Sequence, residues 1–97
     1  MSVDQAWEAY EAAERNYLQA LIDEAPKYAL IGAAGKARDT ATTLQQVAFR
    51  DIQAAERAND DDASSVAARD CDTAELLAVL WERILAAHQG KLMLPEP

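Results

Sequence analysis

The chain has 97 residues, a formal net charge of −8 and one cysteine. That length holds one folded domain, because a second would lack residues for its own core. The acid excess argues against direct nucleic-acid binding, which needs Lys and Arg to displace counterions, and against anionic membrane surfaces.

Apolar residues make up 51% of the chain, but 22 of them are Ala and only 26 are larger than Ala and Cys. A core this poor in large side chains makes a homodimer a natural expectation alongside a monomer. No apolar run reaches the ~18 residues of a membrane span. The chain opens on acidic and polar residues, so no secretory leader is expected. Cys71 has no partner for an internal disulfide, which fits a reducing, cytoplasmic setting.

Periodicity predicts an all-α, antiparallel, up-down-up three-helix bundle with one domain over 1–97. The first helix is expected over about 2–25. Ser2 supplies an N-cap, and Asp4 complements the helix dipole. Val3, Trp7, Tyr10, Tyr17, Leu18 and Leu21 share one face. Pro26 stops the segment, because its ring excludes the α conformation from Ala25.

The second helix is expected over 27–58. Its core stripe is Leu30, Ala34, Ala37, Ala41, Leu44, Ala48, Ile52 and Ala55, small enough to let neighbours approach closely. Gly32 and Gly35 each cost about 1 kcal/mol relative to Ala. With Thr40, Thr42 and Thr43 close by, a kink or break is expected within 32–40.

Asn59-Asp60-Asp61-Asp62 reads as a turn. A third helix is expected over 63–89, with Asp72-Thr73-Ala74-Glu75 resembling a capping box and marking a candidate fresh start. Leu76, Leu77, Leu80, Trp81, Ile84 and Leu85 form a wide apolar face. Gly90 suits the C-terminal cap, and an apolar tail follows over 90–97. Residues 1–25 carry six acids and one base (−5), 26–58 carry five bases and three acids (+2), and 59–97 carry eight acids and three bases (−5). The middle helix is therefore electrostatically compatible with both neighbours.

Motifs for chemistry are missing. A ferritin-like di-metal site needs Glu-x-x-His pairs, and the sole histidine, His88, follows Leu85 at that spacing. His88 reads as a dipole-compatible residue near a helix C-terminus. Cys71 lies between Asp70 and Asp72, which suppress a thiolate. There is no phosphate-binding glycine loop, and Ser64-Ser65 lacks a base partner. No catalytic residue, metal or cofactor is expected.

The expectation is thus a non-enzymatic protein–protein interaction module whose acidic faces steer a basic partner. The partner-binding candidates are Trp7, Tyr10, Glu14, Phe49 and Trp81, since aromatic anchors dominate interface energy. Glu14 lies within the apolar arc of the first helix, so it needs either a tyrosine hydroxyl or arginine nearby, or a polar contact on a partner. Phe49 and Ile31 lie off the core stripe and point the same way. A second expectation is an acidic inhibitor, of the kind phages use in counter-defence, imitating DNA phosphates with Asp4, Glu8, Glu11 and Asp60, Asp61, Asp62. A small-molecule-binding helical bundle is the third.

Overall fold

In a computed structural model describing residues 1–90, the chain forms α1 (Val3–Ile22), α2 (Lys27–Arg57) and α3 (Asp61–His88), with no strand among those residues. Of the tail expected over 90–97, residues 91–97 lie outside them. Ser2 starts α1 with a closed capping box: its Oγ accepts the Gln5 N–H at 3.2 Å, and Gln5 Oε1 accepts the Ser2 N–H at 2.9 Å. Asp60 starts α3 by accepting the Ala63 N–H at 3.1 Å.

α1 ends three residues earlier than expected, and the cause is the turn rather than Pro26 alone. Glu24 adopts φ 53°, its N–H donates to Leu21 O, and the Ala25 N–H donates to Ala20 O. The same pattern closes α2, with Asn59 at φ 54° and the Asp60 N–H reaching Ala55 O. These are Schellman closures, and they satisfy the last free carbonyls of each helix. Gly90 closes α3 at φ 71°, a conformation that favours glycine.

Two expected breaks are absent. α2 runs unbroken through 32–40. The Thr40 hydroxyl donates to Lys36 O and Ala37 O, and the Thr42 hydroxyl donates to Arg38 O, so both bond to the helix itself. Asp72 lies inside a continuous α3 and starts nothing. Nothing lies within 4 Å of a Cβ built on Gly32, so no neighbour requires glycine there. Gly32→Ala should therefore raise stability by about 0.5–1 kcal/mol in urea unfolding. A loss of stability would mean that α2 needs a bend at that point.

α2 lies between the other two helices. It packs on both, while no Cα of α1 comes within 8 Å of one in α3. Ala34, Ala37, Ala41, Leu44, Ala48 and Ala55 are all buried, as the stripe predicts. Short connections make α1 and α3 antiparallel to α2 and parallel to each other. The side chains Tyr10, Tyr17, Trp81 and Leu85 bridge the wider gap over the alanines of α2. A second cluster joins Ala6, Leu44, Val47 and Ala74.

The apolar faces of the outer helices differ from expectation. α1 buries Ala6, Tyr10, Ala13 and Tyr17, whereas Leu18 and Leu21 stay exposed. Close approach to α2 selects Ala6 and Ala13 on the buried side, and that turns Leu18 and Leu21 outward. α3 buries Trp81 and Leu85 but leaves Leu76 and Leu80 exposed.

Candidate functional site

Polar side chains link α1 and α3 in two places. Trp81 Nε1–H donates to Tyr10 Oη at 2.8 Å, and the Tyr10 hydroxyl donates to Glu14 Oε2 at 2.9 Å. One heptad on, Tyr17 Oη and His88 Nε2 share a hydrogen bond of 2.6 Å. The Tyr17 ring also meets Trp81 edge-on at 5.0 Å. Among the described residues, no buried side-chain polar atom lacks a partner. Glu14 thus finds the tyrosine hydroxyl that its place in the apolar arc calls for.

The surroundings of Tyr10, Tyr17 and Cys71 favour the neutral forms of those three groups. Burial pushes the Tyr10 phenol above its ordinary 10.0; the Trp81 hydrogen bond opposes the rise and Glu14 adds to it. Burial also raises Tyr17. Both phenols stay protonated at neutral pH. The Cys71 thiol is raised as well, first by burial and then by Asp72 and Glu75. Its Sγ–H points to Gln45 O at 3.8 Å.

The aromatic candidates separate by burial. Tyr10 and Trp81 are 2% and 4% exposed, so they are core residues and no surface anchors. Trp7 is half-buried against the Ala6–Leu44 cluster and stacks on Tyr10 at 6.1 Å. Glu14 is half-buried and already bonded. Phe49 remains on the surface at 52% exposure, while Ile31 packs against the core, so the two do not form a shared exposed pair.

A different site arises where α1 begins. α2 has 31 residues and α1 has 20, so α2 extends about 16 Å further at ~1.5 Å per residue. Beyond Val3, the α2–α3 hairpin continues without a third helix. The step forms an open cleft of about 820 Å³. Its floor is small and apolar, formed by Ala54, Ala55, Ala58, Ala63, Val66 and Ala67, with Val3 as an end wall. Among the described residues, five carboxylates line it, from Asp4, Asp51, Asp60, Asp62 and Asp70, and no Lys or Arg does.

Two acidic groups recognised along the chain therefore meet in one place. Asp4 comes from α1, and Asp60 and Asp62 come from the turn and first turn of α3. Glu8, Glu11 and Asp61 are exposed outside the cleft lining. Asp51 and Asp70 were missed. The available signal was that Asp51 lies one turn beyond Val47, on the side of α2 that faces α1. Among the described residues, no group of three His, Cys, Asp or Glu side chains is arranged to hold a metal ion. No described helix is long and apolar enough to cross a membrane.

No protein family, curated protein or solved structure matches this chain.

Proposed function

We propose that the protein is a non-enzymatic interaction module that receives a short basic amphipathic helix of a protein partner in the cleft beyond α1. The observation that carries this reading is the uncovered alanine floor of the α2–α3 hairpin, ringed by carboxylates alone. A helix laid there continues the line of α1 and buries its apolar side on the alanines. Its Lys or Arg stems cross the floor and place their charges on the rim. The open step suits a helix better than a small molecule, which needs enclosure on most sides.

A defined peptide tests the reading. A 14-residue helical peptide with Ala and Leu on one side and Lys on the other is titrated by calorimetry. Asp51→Asn/Asp62→Asn/Asp70→Asn should weaken binding roughly tenfold, since exposed ion pairs contribute about 0.2–1 kcal/mol each. Glu8→Gln/Glu11→Gln/Glu24→Gln removes the same charge elsewhere and should leave affinity within about twofold. Equal losses in the two triple variants, or no binding at millimolar peptide, would sink the cleft as the docking site.

The exposure of Asp4, Glu8 and Glu11 along α1 favours a second reading, an acidic inhibitor that imitates DNA phosphates. It predicts the opposite ranking of the variants. Glu8→Gln/Glu11→Gln should then abolish binding to a basic target, DNA should compete with the protein, and added salt should weaken the complex steeply.

A further inference from the structure

Opposite its buried side, α3 carries a second apolar strip that neither α1 nor α2 covers. Leu76 is 72% exposed, Val79 48% and Leu80 50%. At about 100° per residue, Asp72, Leu76, Val79, Leu80 and Arg83 fall within an arc of about 100°. The arc faces away from Ala74, Trp81 and Leu85, the core side of the helix. Three large apolar side chains on one outward face, with charges of opposite sign at its two ends, are more than solubility requires.

The order of those residues has a two-fold property. Asp72 and Arg83 are eleven residues apart, close to three full turns, and flank the apolar strip at opposite ends. Turn a second α3 antiparallel about a point between Leu77 and Ala78. Leu76 then meets Leu80 and Val79 of the copy, and each Asp72 meets an Arg83. A parallel pairing instead sets Asp72 against Asp72 and Arg83 against Arg83. Glu75 and Glu82 lie to the side of the strip, about 90° and 110° from its centre. Among the described residues the single ion pair is Arg38–Asp39, so no described residue pairs with Asp72 or Arg83.

We propose that the outer face of α3 is a self-association surface, on which a second copy of this chain docks antiparallel through Leu76, Val79 and Leu80 with reciprocal Asp72–Arg83 pairs. The arrangement is isologous and closed, so it yields a dimer and no fibre. It lies on the opposite side of α3 from the core and leaves the cleft free, so it stands independently of the cleft reading.

Sedimentation equilibrium between 5 and 500 µM tests it on the full chain. The wild-type protein should shift from monomer to dimer within that range. Leu80→Glu should remain monomeric, and its far-ultraviolet circular dichroism should be unchanged because the position is exposed. Asp72→Arg should weaken the dimer at least tenfold by setting Arg against Arg twice. Asp72→Arg/Arg83→Asp should recover most of that loss. A wild-type monomer throughout, a Leu80→Glu variant that still dimerises, or a double variant no better than Asp72→Arg would each overturn the proposal.

Discussion

Trp81→Ala should cost about 3–5 kcal/mol, the usual range for emptying a large aromatic site. Whole domains of this kind are stable by only about 5–15 kcal/mol, so most of the margin is at risk. The geometry places this variant toward the upper end. The α1 backbone does not approach α3, and the two helices meet through side chains, with Trp81 at the centre. Its loss removes the edge-on contact with Tyr17 and takes away the donor to the Tyr10 hydroxyl. The surrounding alanines of α2 are too short to fill the space. Melting temperature should fall by roughly 15 °C or more, at about 4–8 °C per kcal/mol for a domain this small. Trp81→Phe keeps most of the ring and loses the indole N–H, so it should cost about 1–2 kcal/mol. A Trp81→Ala loss below 1 kcal/mol in urea unfolding would show that α1 is held chiefly by α2.

Leu44→Ala is the second large effect, at about 2–5 kcal/mol. Leu44 is completely buried and, among the described residues, is the one large side chain buried so fully. Its cluster is Ala6, Val47 and Ala74, with Val3 and Trp7 packed against it. Ala6 and Ala74 are too short to fill a cavity there, and Val47 is held stiff by its branched Cβ. Phe49→Ala is the matched control. Phe49 is only five residues away on the same helix but half-exposed, so its truncation should stay within about 0.5 kcal/mol. Leu44 also positions the start of α1, and hence Val3 and Asp4 on the cleft wall. Leu44→Ala should therefore weaken the Lys peptide as well as the fold, whereas Phe49→Ala should change neither. A Leu44→Ala cost close to that of Phe49→Ala would mean the cluster is loosely packed.

Local chemistry made much of the fold legible. Ser2, Asn59 and Gly90 act at helix ends because their side-chain oxygen, or their tolerance of positive φ, suits those positions. Glu24 was not legible as an end, because a glutamate at φ 53° is held by the closure around it and by nothing intrinsic. Gly32, Thr40 and Thr42 are weak helix formers taken singly. Packing on two neighbours outweighs a propensity cost of about 1 kcal/mol at Gly32 and less at each threonine, so α2 continues.

The candidate site was less legible than the fold. Tyr10, Trp81 and Phe49 are all large aromatics at helical spacing, and spacing alone cannot say which of two apolar faces meets a neighbour. Burial separates them, with Tyr10 and Trp81 inside and Phe49 outside. Asp51 and Asp70 look like ordinary surface acids in the chain. They line a cleft only because α1 starts well short of the far end of the α2–α3 hairpin.

Helix type, helix number and the alanine stripe of α2 were set by the order of residues itself, since period and propensity act over a few neighbouring positions. The side of each outer helix that turns inward, the aromatic bridge across α2, and the meeting of carboxylates from all three helices were decided by tertiary packing. Those features depend on distances between residues as far apart as Tyr10 and Trp81, and no local preference encodes such distances.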